Sequence, residues 1–313
     1  MRRVLIFVLW LGVGSALGAT LIGALAPTFP YFEIVNHFRP LLVGATFALA
    51  VVACAAQARL ASRVASLALA GNLILALLPL LWRAPAASER AIRITTFNVW
   101  VGNRDPDAVV KFLRQDDADI VILQEVDTRL EKLIVPSLQT IYPHAVSCAR
   151  RNCGLVLLSK RPWLSSGYLD RRNDAPPVVW ARFAGLNKPF VVTGLHLAYP
   201  FQPLFQVAHT NWLIQRLAQS PDTQIVVGDF NLTPYSWKLN ALANKANLRR
   251  HATFGASWPG NRWLPFVLLD NLLASPAVRS AAVHYGPFSF GSDHRPVSFD
   301  IVIDGDETTV HRP

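Results

Sequence analysis

The chain has 313 residues, 52% of them apolar, and a net charge of +10. Six arginines and one glutamate fall in residues 1–83, leaving 24 basic and 19 acidic residues in the remainder. A core of substantial size in one or two domains is affordable; the surplus charge suits an anionic phosphate or an acidic membrane surface and is too small to argue for nucleic acid by itself.

From the N-terminus, residues 4–26 carry no charge over 23 positions, and residues 40–58 and 64–82 carry none over 19 each. Each stretch is about long enough to cross a bilayer as a helix. The basic start "MRR" and "ALA" at 24–26 also fit a cleaved signal peptide, which would leave the other two stretches unexplained. Three membrane helices are therefore expected, with Asn72 and Pro79 of the third covered by neighbouring helices. Arg2, Arg3, Arg59 and Arg63 on one side against Arg39 and Arg83 on the other predict a cytoplasmic N-terminus. Everything after Arg83 then lies on the outer, periplasmic face of a bacterial inner membrane.

"APAASER" at 84–90 reads as a linker, residues 91–304 as one domain, and 305–313 as a polar tail. Short apolar runs predict strands at 92–99, 119–124, 154–159, 178–184, 190–197, 224–229, 267–274 and 297–303. Apolar spacing near 3.6 predicts helices at 105–115, 128–138, 204–219 and 236–246. Helices recurring among more numerous strands suggest two packed sheets with helices outside them. Cys54 lies in the second apolar stretch, whereas Cys148 and Cys153 flank "ARRN" as either a disulfide or two reduced thiols. A second cysteine pair for a zinc site is absent.

Polar groups stand at the ends of these strands. Asn98 ends "ITTFN", Glu125 follows "DIVILQ", His196 ends "VVTGLH", and Asp229 and Asn231 lie in "VVGDFN". Asp270 interrupts "VLLDNLL", and Asp293 with His294 precedes the last strand. Singly, each has a structural explanation: Glu125 as a helix cap, "GDFN" as a turn, "GSDH" as another. Asp270 is the exception, because a carboxylate in an apolar strand needs a partner to offset its desolvation, and a histidine would serve.

Together the set offers the parts of metal-assisted phosphoester hydrolysis. Carboxylates with an amide suit a hard divalent ion such as Mg²⁺ or Mn²⁺. Two histidines and further carboxylates can move protons. Neither a Walker loop nor an HExxH or GxSxG motif is present.

In order and spacing, "ITTFNVW", "ILQEVD", "TGLHL", "VVGDFNLTP", "LDNLLAS" and "GSDHRPV" resemble the motifs of the endonuclease/exonuclease/phosphatase superfamily. That resemblance, over residues 91–303, implies an α/β four-layer sandwich of two central sheets flanked by helices, here preceded by three transmembrane helices. It implies Glu125 as principal metal ligand, Asn98 beside it, and Asp293 completing the metal side. His196 would bind phosphate or assist the leaving group, Asp229 position or deprotonate water, Asn231 hold phosphate, and Asp270 orient His294. The implied cofactor is Mg²⁺ or Mn²⁺, and the implied partners are the membrane and a phosphate ester, whether nucleic acid, phospholipid or small phosphodiester; no protein partner is expected. An inactive module that binds a phosphorylated partner is the alternative.

Two departures stand out. Nuclease members place an acidic partner for the first histidine where this chain has Arg150, Arg151 and Asn152. Members acting on abasic DNA carry long basic, aromatic loops, for which the chain offers only Arg249, Arg250, Trp258, Arg262, Trp263 and Phe266 before Asp270. His37, His144, His209, His251, His284 and His311 read as structural or solvated.

Overall fold

The computed structural model describes residues 2–88, 92–149, 153–185, 187–252, 254–261 and 265–304. Arg150, Arg151, Asn152, Arg262, Trp263 and the tail at 305–313 lie outside the described residues.

The strand-forming runs collect into two six-stranded sheets. The first contains β1 (Ile92–Asn98), β2 (Ile120–Gln124), β3 (His144–Ser147), β4 (Leu155–Ser159), β11 (Val278–Tyr285) and β12 (Val297–Ile303), in the order β11-β12-β1-β2-β4-β3. The second contains β5 (Ser165–Leu169), β6 (Val178–Phe183), β7 (Phe190–His196), β8 (Thr223–Asp229), β9 (Arg249–Arg250) and β10 (Asp270–Ala274), in the order β5-β6-β7-β8-β10-β9. Sequence patterning missed β3, β5, β9 and β11, which are the four sheet edges. Edge strands are half solvated and bear polar side chains, so the apolar signal fades there. The inner strands are buried on both faces and read as continuous apolar runs.

Inward-facing side chains of the two sheets, among them Ile94, Ile122, Leu157, Val192, Ile225, Leu272 and Phe299, form the central core. Helices α5 (Pro106–Asp116) and α6 (Thr128–Leu138) cover the first sheet, and α7 (Pro203–Ala218) and α8 (Trp237–Lys245) the second. Asp105 caps α5 by accepting from Ala108 N at 3.1 Å, and Asp127 caps α6 by accepting from Leu130 N at 2.7 Å. The cap after β2 is thus Asp127, which leaves Glu125 free for another use. The result is the expected four-layer α/β sandwich.

Among the described strands, β1–β2 and β7–β8 are the pairs that run in parallel. β12 runs antiparallel to β1 and β10 antiparallel to β8. The C-terminal ends of β1, β2, β7 and β8 therefore meet the N-terminal ends of β10 and β12 at one end of the sandwich. Gly228 lies just before that end with φ +151°, and a Cβ there would sit 2.1 Å from the Leu195 carbonyl oxygen. Gly228→Ala is expected to push β8 from β7, lowering the melting temperature by several degrees and weakening any activity that depends on Asp229; differential scanning fluorimetry reads the first effect.

The N-terminal region folds as α1 (Arg2–Ala24), the short α2 (Glu33–Asn36), α3 (Arg39–Ala55) and α4 (Arg59–Leu77). Leu9 and Val13 pack with Ala53, Ala61 and Ala65. At the other end Asn72 Nδ2 donates to Thr20 Oγ1 at 2.8 Å and Arg39 Nη1 to Asn72 Oδ1 at 2.6 Å. α1 and α4 are thus parallel, with α3 running back between them. Helices Arg3–Ala24 and Arg59–Trp82 are long and apolar enough to cross a membrane; Pro30–Asn36 and Arg39–Ala55, bent by 64°, add a third crossing if they count as one span. Phe7, Leu11, Phe47 and Leu67 point outward, each more than half exposed.

Candidate active site

The eight polar residues singled out in the sequence gather at the end of the sandwich defined by the strand topology. Asn98 closes β1, and its side-chain nitrogen donates to Glu125 Oε1 at 3.1 Å and Asp229 Oδ2 at 3.0 Å. Its carbonyl oxygen accepts from Trp100 N at 3.0 Å, so the amide cannot flip without losing that bond. Glu125 follows β2 with φ +57°, a left-handed conformation that glycine would accept more readily. That kink turns its carboxylate into the site, where Oε2 accepts from Val101 N at 3.3 Å.

His196 and Asp229 are register partners at the ends of β7 and β8, and Asp229 is in register with Asp270, the first residue of β10. Asp270 therefore opens its strand; it does not interrupt one. Asn231, with φ +48°, donates its backbone N–H to Asp229 Oδ1 at 2.8 Å, so "GDFN" is a turn as well as a site element. The Asn231 amide nitrogen also lies 3.2 Å from His196 Nε2. Asp229 Oδ2 stands 3.6 Å from both His196 Nε2 and His294 Nε2.

Ser292 donates to the Asn98 carbonyl at 2.7 Å and accepts from His294 N at 3.0 Å, which ties the last turn to β1. His294 Nδ1 then meets Asp270 Oδ2 at 2.8 Å, both side chains being buried. Burial pushes the Asp270 carboxyl up, against the opposing pull of His294. Burial by itself would lower the His294 pKa, but Asp270, Asp229 and Asp293 outweigh it and raise the pKa to about 10. The imidazole is accordingly a cation at neutral pH.

The donor set for a divalent ion is rich in oxygen. Asp293 Oδ2 accepts from Trp258 Nε1 at 3.3 Å, while its buried Oδ1 has no hydrogen-bond partner. Glu125, partly exposed, shares with Asp293 a cavity of about 450 Å³ that also holds Asp229, Asn231 and His294. An unpartnered carboxylate oxygen beside other carboxylates fits a hard cation. Asp229, Asp270 and His294 also bring ligand atoms within 4.8 Å of one another. There, however, the imidazole Nδ1 already binds Asp270, which leaves only Nε2 of that ring for an ion.

Several residues of the site gave no signal in the sequence. Tyr199, whose hydroxyl pKa is raised by burial and by Glu125, stands edge-on to His196 with ring centroids 6.1 Å apart. Trp258 holds Asp293, and Ser257 Oγ accepts from Leu269 N at 3.2 Å beside Asp270. His37, from the loop before α3, also lines the cavity and is buried rather than solvated. A lone tryptophan, tyrosine or loop histidine has no spacing pattern that marks it.

Residues 95–294 match the Endonuclease/Exonuclease/phosphatase family. Similar solved structures include an endonuclease/exonuclease/phosphatase from Bacteroides vulgatus, at 18% identity and TM-score 0.59, over 68% of this chain and 99% of that one. A mannosyl-6-phosphatase from Bacteroides thetaiotaomicron is similar at 14% identity and TM-score 0.57, over 68% and 100% of the two chains. Sphingomyelinase C from Streptomyces griseocarneus is similar at 15% identity and TM-score 0.53, over 66% and 98%. At these identities the likeness is one of fold. No curated protein matches the chain in sequence.

Proposed function

The chain belongs to the endonuclease/exonuclease/phosphatase family, and from that premise we propose that it is a membrane-anchored, divalent-metal-dependent hydrolase of phosphoric esters. One observation carries the proposal. The buried Asp270–His294 pair, 2.8 Å apart, faces Asp229 at 3.6 Å in the cavity that also contains Glu125 and Asp293. Burying two carboxylates and an imidazole together, with two more carboxylates half-buried beside them, costs stability that an apolar filling would not, and function is the offsetting gain.

Glu125 and Asp293 would hold Mg²⁺ or Mn²⁺; Asn98, expected beside them as a ligand, instead turns its NH2 toward Glu125 and Asp229 and would position those carboxylates. The ion supplies charge neutralisation and Lewis acidity at a phosphoryl oxygen. Asp229 is suited to orient water and accept its proton as the water oxygen bonds to phosphorus. The ester P–O bond breaks on the opposite side, and the leaving oxygen takes up a proton. His294, held cationic by Asp270, hydrogen-bonds a phosphoryl oxygen through Nε2 and stabilises charge as it develops. His196 and Asn231 bind the phosphate from the β7–β8 side.

Activity on a panel of plasmid DNA, RNA, sphingomyelin and bis-p-nitrophenyl phosphate, with and without Mg²⁺, tests the reading. Metal-dependent hydrolysis of at least one ester is expected; silence across the panel with every divalent ion supplied would refute it.

The anchor is proposed on the apolar outward faces of α1, α3 and α4. The two arginine-richer ends, at Arg3 and at Arg59 with Arg63, lie together away from the catalytic domain, which supports a cytoplasmic N-terminus and a periplasmic site. The disulfide between Cys148 and Cys153 supports an oxidising compartment as well. A phosphatase reporter joined after Arg83 is expected to be active only when exported; a reporter active only in the cytoplasm would reverse the orientation.

A further inference from the structure

Residues 25–38, which join α1 to α3, lie against the catalytic domain beside the cavity. Glu33 Oε1 accepts from Trp237 N at 2.7 Å, the Gly23 carbonyl from Trp237 Nε1 at 3.1 Å, and the Pro30 carbonyl from Lys238 Nζ at 3.5 Å. From the helix side, Asn36 donates to the Gly23 carbonyl at 3.0 Å, and Arg39 bonds Asn36 and Asn72. A loop held from both sides is a fixed wall.

That wall ends on His37. Its Nδ1 accepts from Thr233 N at 3.3 Å, so the ring proton resides on Nε2. The Nε2–H is buried, has no partner, and belongs to a residue only 4% exposed that lines the same cavity as Asp229 and His294. A buried donor left unmatched costs free energy that a ligand acceptor would recover.

Beside His37 the cavity is apolar. Ile34 and Phe38 come from the loop, Phe38 stands 6.4 Å from the Phe266 ring, and Trp100, Phe201 and Leu269 continue the surface. Phe38 is 39% exposed, Phe266 46% and Phe201 74%, so the apolar wall reaches the cavity mouth at the end of the helices where Thr20, Arg39 and Asn72 meet. Among the described residues, no lysine or arginine lines this cavity, and the adjoining cleft that shares Val101, Glu125 and Tyr199 offers a single one, Arg171. A polynucleotide draws its affinity from such cations.

We infer that the loop between the first two long helices is part of the substrate site: His37 Nε2–H binds a polar oxygen of the substrate, and Ile34 and Phe38 seat the acyl or alkyl chain of a phosphate ester that resides in the bilayer. The inference rests on the phosphohydrolase reading and narrows it to a lipid. A lipid headgroup would enter sideways from the membrane surface, with phosphorus toward His294 and its chain still over the helices.

The test uses the full chain in detergent micelles. Binding of hexadecyl phosphate and of ethyl phosphate is measured by calorimetry in EDTA, and hydrolysis of a mixture of phosphatidylethanolamine, phosphatidylglycerol and sphingomyelin is compared with bis-p-nitrophenyl phosphate and an oligonucleotide in Mg²⁺. The wild type is expected to bind hexadecyl phosphate on the order of a hundredfold more tightly than ethyl phosphate, and Phe38→Ser to reduce that ratio about tenfold. His37→Asn keeps an acceptor for Thr233 N, but its shorter side chain places no donor at the Nε2 position; it is expected to weaken both ligands about tenfold. Equal affinity for the two phosphates, unchanged binding in both variants, or an oligonucleotide cleaved in preference to every lipid would overturn the inference. Hydrolysis confined to soluble esters sinks this inference and leaves the hydrolase reading intact; no hydrolysis of any ester sinks both.

Discussion

Replacement of His294 by glutamine is expected to lower kcat/KM for bis-p-nitrophenyl phosphate by about a thousandfold. The His294 imidazolium stands 3.6 Å from Asp229, and glutamine can offer a hydrogen bond but no charge. The single variant also strands Asp270, fully buried, without its partner, which is expected to cost about 3–5 kcal/mol of stability. The double variant His294→Gln/Asp270→Asn removes both charges at once, so it separates lost chemistry from lost folding. Comparable inactivity in a well-folded double variant supports the catalytic assignment; activity within tenfold of wild type would end it.

The same pair sets a pH dependence. His294 has its folded pKa raised from 6.5 to about 10, so its contribution to stability is complete below about pH 6.5 and is lost as pH climbs toward 10. The buried Asp270 carboxyl, also raised, acts in the same direction, because the folded state again holds a proton more tightly than the unfolded one. Thermal unfolding of the metal-free chain is therefore expected to shift to lower temperature across that interval. The double variant should flatten the slope.

The second large effect concerns the metal. Glu125→Ala removes a carboxylate that Asn98 and Val101 N hold in place, and under the proposed assignment Asp293 would have to hold the ion without it. Activity at a fixed, low Mg²⁺ concentration is expected to fall by at least a hundredfold, with part of it recovered at high Mg²⁺. EDTA should abolish activity in the wild type, and Mg²⁺ or Mn²⁺ should restore it. A Glu125→Ala protein with unchanged metal response would place the ion elsewhere, the Asp229, Asp270 and His294 cluster being the next candidate.

What was legible in the sequence follows a physical line. Inner strands such as β2 and β8 are buried on both faces, so their composition is unmistakable; the edge strands β3, β5 and β11 are partly solvated and β9 is only Arg249–Arg250, and none of the four was seen. Helix α5 declared its start through Asp105, whereas for α6 the sequence reading offers Glu125 as the cap and the hydrogen bonds assign it to Asp127. The eight polar residues were legible because each ends or begins an apolar run, and a polar group at such a boundary has to be satisfied by something.

By itself, then, the sequence determined the fold class, the family and the residues that converge, because burial and strand-end chemistry are local properties written in composition and order. The pairing of Asp270 with His294 is already expected from the sequence, but only the tertiary structure decided how the rest face one another: that His294 is opposed to Asp229, that Asn98 points its amide nitrogen at two carboxylates, and that Trp258 and Tyr199 complete the wall. It also decided between the two readings left open for His37, structural or solvated, by burying it at the cavity wall. Distance in space between residues far apart in the chain depends on sheet register and on how the helices dock, and neither leaves a periodicity to read.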